Sequence, residues 1–322
     1  MNPFIFSETT PSSPLAELAK AKTYSLSETE RNTSVDVKGI GESDEEEEVS
    51  SSIKESRCEQ SQNVETIVQE QTKEGLPSRE DLDRMKDSGQ EISLDELRET
   101  RPDIADYIDN MKNRLGNNDY AQSISIYQTK EGEFIIVGHD ERTNELSNYV
   151  HIKDKDVYCW AGNAKGDGHL NEFANNTDGM LPNSKYHFEN VVYDTDDKGR
   201  VSDIYEHHAP ERQTDRNEGR GNLKPISDAK DGRSTDVGGH FVAHNVDGPT
   251  EAINIVPMDE QFNNGKEWKS MENEICEAYQ NNKVSFVHKH IEYSDESQRP
   301  SHIDVDYKIA GEEVKHRSYD LP

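Results

Sequence analysis

Residues 236–275 read DVGGHFVAHNVDGPTEAINIVPMDEQFNNGKEWKSMENEI. The thirty-seven positions from Asp236 to Glu272 hold Asp236, His240, His244, Asn254, Asn263, Asn264 and Glu272. A helix is expected from about Gly265 to Tyr279, because Trp268, Met271, Ile275 and Ala278 recur at spacings of three and four and would share one apolar face. Imidazole, amide oxygen and carboxylate are the donors that phosphodiester chemistry with a hard cation requires. Mg²⁺ takes oxygen ligands, keeps most of its waters, and is usually held by one or two protein groups plus phosphate. A neutral histidine can take a proton from an attacking water, since its ordinary pKa of about 6.5 lies near working pH.

Strand candidates surround this stretch. Tyr186–Tyr193 and Val201–Tyr205 precede it, with a turn at 194–199, and Val284–Tyr293 follows it. In the last candidate Ile303, Val305, Tyr307 and Ile309 alternate with polar residues. Residues 184–322 therefore read as strands, a helix, then strands. Residues 116–183 read as a small β-rich segment of unassigned role, with strands at 123–127, 134–137 and 157–160 and Gly- and Asn-rich loops after them. Residues 1–115 read as an acidic, largely disordered region with short helices. Ser78 precedes acids in a first turn, and Ser93 with Glu96 has capping-box spacing ahead of Leu94, Leu97, Ile104, Ile108 and Met111. The fold class expected is α+β.

The 322-residue chain carries 36 Lys and Arg against 66 Asp and Glu, a net charge of −30. By segment the charge is −13 for 1–115, −6 for 116–183 and −11 for 184–322. A protein that coats nucleic acid normally presents a basic stripe that displaces counterions from phosphate, so that class is excluded. An enzyme touching a few phosphates at a local site is not. No apolar run approaches the roughly 18–20 residues of a membrane span. The N-terminus has a four-residue apolar patch, Pro3 to Phe6, and no basic start, so no Sec signal is expected and synthesis in the cytoplasm is. Cys58, Cys159 and Cys276 form no CxxC pair and read as reduced thiols.

Asp236-Val237-Gly238-Gly239-His240, then Asn254-Ile255-Val256-Pro257-Met258, then Asn263-Asn264-Gly265 with Trp268 and Glu272, resembles the DNA/RNA non-specific endonucleases of the ββα-metal fold. The branch it looks most like supplies C-terminal nuclease domains to bacterial polymorphic toxins and effectors. The resemblance covers about 184–322, including Arg299-Pro300-Ser301. It implies an antiparallel ββα-metal domain that cuts DNA, with RNA as an alternative, using one Mg²⁺ for which Mn²⁺ could substitute. His240 would be the general base, and an Asn at the start of the helix the metal ligand. Counting forward from Pro257 that residue is Asn263; counting back from Trp268 and Glu272 it is Asn264, and both stay open. Glu272 would orient metal waters. Asn254 would orient His240 or its loop. The family's Asp often stands three residues before the His, where Val237 stands here, and the motif Arg is missing. Arg233, Arg220 or Arg299 could supply the charge to phosphate, and Arg233 is taken as the candidate.

Plainer readings exist beside these. His240 and His244 have an H-x-x-x-H spacing, but a zincin needs Glu directly after the first His and Phe241 is there. His244 then reads as a packing or substrate-side residue. His288 and His290 share one face of a strand, which is an exposed surface unless a third metal ligand joins them. Trp268 and Met271 read as core. The functional expectation is a bacterial toxin delivered by a specialised secretion system that, with or without a chaperone, reads the N-terminal region, and restrained at home by a cognate immunity protein. The alternatives are a catalytically silent nuclease-like binding protein and a scavenging or intracellular nuclease.

Overall fold

The computed structural model describes residues 64–72, 76–116, 124–139, 146–160, 171–188, 191–207, 223–246 and 248–322. The chain divides into two units, 1–57 and 58–322, and every described residue belongs to the second. The acidic run at 42–48, the apolar patch at 3–6, Cys58 and Arg220 lie outside the described residues.

One sheet of eleven strands runs β1 (Gln90–Ile92), β2 (Ile124–Gln128), β3 (Phe134–His139), β4 (Leu146–Lys153), β5 (Asp156–Trp160), β6 (Lys185–Phe188), β7 (Val191–Thr195), β8 (Val201–His207), β11 (Val284–Glu292), β12 (His302–Ile309) and β13 (Lys315–Asp320). Every neighbouring pair is antiparallel except β5 and β6, which are parallel. A separate antiparallel ribbon joins β9 (Asp236–His240) and β10 (Ile255–Asp259). The helices are α1 (64–71), α2 (Arg79–Ser88), α3 (Leu94–Thr100), α4 (Pro102–Leu115), α5 (Lys224–Ala229), α6 (Glu260–Asn263) and α7 (Lys266–Gln280).

The two serine-led helix starts form as their sequences dictate. Ser78 and Ser93 each accept from the backbone N–H three residues on, while Asp81 and Glu96 reach back to the cap, which satisfies donors the first turn leaves unpaired. Leu97, Ile104, Ile108 and Met111 are then fully buried against the sheet. Burying each such side chain stabilises by about 1.5–3 kcal/mol. Trp268, Met271 and Ile275 of α7 enter the same cluster, together with Ile136, Val150, Val157, Tyr193, Ile204, Val287 and Val305 from the strands. This is the inner face. On the outer face, α2 contributes Leu82 to a cluster with Ile135, Val137 and Tyr149, and α1 contributes Val68 to one with Val192, Tyr205 and Phe286.

Two features differ from the sequence reading. The expected strand 186–193 is two strands, β6 and β7, with Phe188 opposite Val191. The polar pair Glu189-Asn190 interrupts the run in sequence, and the strands on either side of it pair antiparallel. The β-rich segment also continues directly into the rest of the sheet: Val157 pairs with Tyr186 and Tyr158 with His187. Tyr107 of α4 donates to the Phe173 carbonyl, packing its ring 4.7 Å from that of Phe173.

Candidate active site

The ribbon and the helices after it give the order strand, strand, helix. His240 ends β9 opposite Ile255, and Asp236 begins it opposite Asp259. Asp259 caps α6, its Oδ1 accepting from the N–H groups of Gln261 (2.9 Å) and Phe262 (3.2 Å). Gly238 is required by close packing, since a Cβ there would stand 2.5 Å from the Cβ of Leu223.

His240 is partly exposed as a residue, but its Nε2 is buried and has no hydrogen-bond partner among the described residues. Burial, with a smaller contribution from nearby His244, pulls its pKa down to about 4. The ring is therefore neutral at pH 7 with a lone pair available. His244 begins a 3₁₀ turn (His244–Val246), and its ring centroid lies 5.9 Å from that of His240, tilted by 51°.

Asn254 is fully buried and its amide is spent on the loop after His240. Its Oδ1 accepts from the Val242 N–H (2.8 Å) and the Tyr193 hydroxyl (3.1 Å). Its Nδ2 donates to the carbonyls of Val242 (3.0 Å) and Pro249 (2.8 Å). It holds the loop and does not touch the imidazole.

Glu272 faces that loop from α7. One cavity is lined by Phe241, Ala243 and Val246 from the loop and by Glu272, Glu206 and Lys289. Burial pushes Glu272 up to about 7, against the pull of Lys289 and the Trp268 indole. Lys289 is ion-paired with Glu206, their side chains 5% and 2% exposed, and the Tyr279 hydroxyl donates to Glu206 at 3.2 Å. Sequence reasoning did not single out this pair. Its signal was present: Lys289 falls between Val287 and Ile291 on the apolar face of its strand.

Asn263 closes α6 and is half-buried, with no hydrogen bond to its amide among the described residues. Asn264 is exposed, and its Oδ1 accepts from Lys269 Nζ at 2.7 Å. Among the described residues no three His, Cys, Asp or Glu side chains are placed to hold a metal ion. A Mg²⁺ held through one amide oxygen and its own waters needs no such cage, so the donors present fit that ion.

Arg233 is exposed in the turn before β9, its N–H donating to Asp236 Oδ2 at 2.7 Å. Arg233 does not line the cavity beside Glu272. Arg299 cannot reach a phosphate as it stands. Its Nε and Nη2 donate to the two oxygens of Asp236 (2.7 and 3.0 Å), and Nη2 also donates to the Pro322 carbonyl. Burial alone would raise Asp236; the Arg299 hydrogen bonds overcome it and hold the carboxylate below its ordinary range.

Residues of the middle segment also reach the ribbon. The N–H of Asn171 donates to Glu251 Oε1 (2.9 Å), Ala252 N–H to Asn175 Oδ1 (3.0 Å), and Ile253 N–H to the Ala174 carbonyl (3.1 Å). Buried Lys230 donates to the carbonyls of Ala252 and Ile255, both 2.9 Å, and desolvation lowers it to about 7. The backbone on either side of Asn254 is thus anchored from several directions.

Residues 182–311 match the family described as DNA/RNA non-specific endonuclease. Among curated proteins the chain is 29% identical over 126 residues to the type VII secretion system protein EssD of Staphylococcus aureus strain USA300, covering 38% of this chain and 20% of that protein. The same figures hold for EssD of strains NCTC 8325 / PS 47 and Newman. The match thus spans about a fifth of the length of these relatives.

Proposed function

We propose that the chain, whose residues 182–311 match the DNA/RNA non-specific endonuclease family, is a Mg²⁺-dependent nuclease that hydrolyses phosphodiester bonds in DNA, and in RNA as a second substrate. The observation that carries this is His240: an imidazole Nε2 that is buried, without a hydrogen-bond partner among the described residues, and neutral at pH 7, on the residue before Phe241, which lines a cavity with Glu272. Its Nε2 takes one proton from water. The oxygen so freed bonds to phosphorus, and the bond to the 3′ oxygen breaks with its electron pair on that oxygen. Protonation of the leaving oxygen from solvent completes a 3′-hydroxyl and a 5′-phosphate. Asn263 or Asn264 would hold Mg²⁺ through its side-chain oxygen, with Glu272 orienting metal waters. When bound, the ion offsets charge on the phosphate and the leaving oxygen. Arg233, exposed before β9, is retained as a contact to DNA backbone. Cutting without base readout follows, because phosphate contacts carry no sequence information.

The likeness to a type VII secretion system protein supports delivery by a specialised apparatus. No helix among the described residues is long and apolar enough to cross a membrane. A nuclease made in the cytosol endangers its producer, which supports a bacterial toxin role with a cognate immunity protein. The N-terminal region is the part proposed to be read by the secretion apparatus or a chaperone. Plasmid degradation with Mg²⁺, with EDTA and with His240→Ala tests the chemistry. Cutting is expected only in the first, and persistence in His240→Ala would overturn the base assignment. No cutting by the unaltered chain with Mg²⁺ or Mn²⁺ would favour a silent binding protein. Expression in a susceptible cell without growth arrest would favour a scavenging nuclease.

A further inference from the structure

We propose that His244 is a second functional imidazole of this site, contacting a non-bridging oxygen of the scissile phosphate as a cation while His240 acts as the base. This rests on the nuclease reading above. A phosphodiester approaching residues 184–322 meets a net charge of −11, so a local positive group beside His240 is needed. Several of the described cations around the ribbon and cavity are already committed to partners. Arg299 is closed on Asp236, Lys289 on Glu206, Lys230 on two carbonyls, and Lys269 on Asn264. Arg233 lies before β9, at the opposite end of the strand from His240.

His244 is held where the cation is needed. Its ring is 5.9 Å from that of His240, centroid to centroid, so one bound phosphodiester could meet both rings through hydrogen bonds of about 2.8 Å. The backbone between them is fixed. Asn254 holds the N–H and carbonyl of Val242, and the N–H groups of Val246 and Gly248 both donate to the Ala243 carbonyl, at 3.0 and 3.1 Å. A Cβ on Gly248 would collide with the Val242 carbonyl, so the turn closes only with glycine there.

Two imidazoles this close resist being charged together, which divides the roles: one neutral, one cationic. Glu272 of α7, Glu206 of β8 and Lys289 of β11 are the charged groups lining the cavity against this loop.

The test is plasmid cleavage at saturating Mg²⁺ from pH 5 to 9 with the full chain and with His244→Ala, His244→Arg and His244→Lys. Across this range the full chain should lose rate along an alkaline limb set by His244, the acid limb of His240 lying below it. His244→Ala should lose ~10²-fold in kcat, the usual scale for removing one charge-stabilising group. At least one of the two cationic variants should recover to within about tenfold of the full chain and lose the alkaline limb. Unchanged kcat in His244→Ala, or equal loss in all three variants, would overturn the proposal. So would an Ala variant that needs more Mg²⁺ but reaches the full rate. Fluorescence anisotropy of a labelled duplex in EDTA at low salt separates this from the nuclease reading. Binding should be tighter at pH 6 than at pH 8 and lose that dependence in His244→Ala. A chain that shows this binding yet never cuts would sink the nuclease reading alone; binding whose pH dependence survives in His244→Ala would sink the His244 contact.

Discussion

His240 and the histidines on the outer face of the sheet are the same side chain under opposite electrostatics. On the outer face each imidazole has a carboxylate. His288 Nε2 and His290 Nδ1 share one oxygen of Asp203, at 3.1 and 3.0 Å. His302 lies between Asp320 (2.7 Å) and Asp304 (3.2 Å), and His316 Nδ1 meets Asp306 at 2.8 Å. Further along the sheet His151 pairs with Glu133 and His187 with Asp156. The strand register sets His151, Tyr158, His187, Val192, Tyr205, His288, Asp306 and His316 in one row across the strands. His240 has an apolar setting and another histidine instead of a carboxylate. At His290 and His302 the carboxylates favour the charged ring, whereas burial without one favours the neutral ring at His240. Function is expected where the partner is missing.

The sharpest way to break this contrast is catalytic. His240→Ala should cost 10²–10⁴-fold in plasmid cleavage, the usual range for a general base. His290→Gln should stay within about twofold, since His290 is paired with Asp203 and away from the cavity lining. Equal losses in the two would mean that the pairing state of a histidine does not mark the site.

The acid of the motif extends the contrast to stability. Asp236 has what His240 lacks, a dedicated counter-charge, with the pair's side chains 0% and 6% exposed. Arg299→Met should lower the unfolding free energy by about 3–5 kcal/mol, because a buried carboxylate would be left uncompensated. The double variant Asp236→Asn with Arg299→Met should recover part of that loss. Removing the exposed Lys224–Asp228 pair by Lys224→Met should change stability by under about 1 kcal/mol. Urea denaturation of the three proteins measures all of this.

Those pairs also show where sequence reading stops. The α7 helix was legible because Trp268, Met271, Ile275 and Ala278 repeat at helical spacing, and all four are buried. The helices at 94–115 were legible from a capping box and an apolar stripe. β13 was missed because Lys-His-Arg-Ser-Tyr-Asp shows no apolar alternation: an edge strand buries little but Tyr319. β4 was missed as well, since polar and apolar residues are mixed through Leu146–Lys153. The continuity of the sheet through β5 and β6 is a non-local pairing that no local pattern encodes. At the site, His240 and Glu272 could be named from residue type and spacing. That Asn254 serves the loop, and that Arg299 serves Asp236, depends on contacts 12 and 63 residues apart in sequence. Whether Asn263 or Asn264 faces a metal was ambiguous by counting. The Lys269 contact to Asn264 distinguishes their surroundings, and metal titration of Asn263→Ala and Asn264→Ala would choose between them.

Stability against pH gives a smaller effect, with a sign that separates the two groups. His240 has its folded pKa lowered to about 4 from an ordinary 6.5. Its neutral form is the one the fold favours, so its stabilising contribution is complete above about pH 6.5 and is lost as pH falls toward 4. Between pH 7.5 and 5.5 this amounts to a loss of about 1 kcal/mol, from 1.36 kcal/mol per unit of pKa. His240→Gln should remove that slope in urea unfolding measured at the two pH values. An unchanged slope would mean that the imidazole is not desolvated in the folded chain.

The outer face should run the other way. The hydrogen bond from His290 to Asp203 outweighs burial and raises the His290 pKa, while the same histidines hold Asp203 down to about 2 against its own desolvation. A raised histidine stabilises fully below its unfolded pKa and loses that contribution as pH climbs through its folded pKa. A depressed aspartate stabilises above about pH 3.8 and loses it as pH falls toward 2. The cluster therefore contributes most in the window between those two limits, where Asp203 is charged and His290 protonated. Asp203→Asn should lower the His290 pKa seen by NMR titration and flatten stability across that window, while leaving His240 unmoved. If Asp203→Asn shifts His240 as strongly as His290, the two histidine groups are coupled through the sheet, and pairing is not a local property of each site.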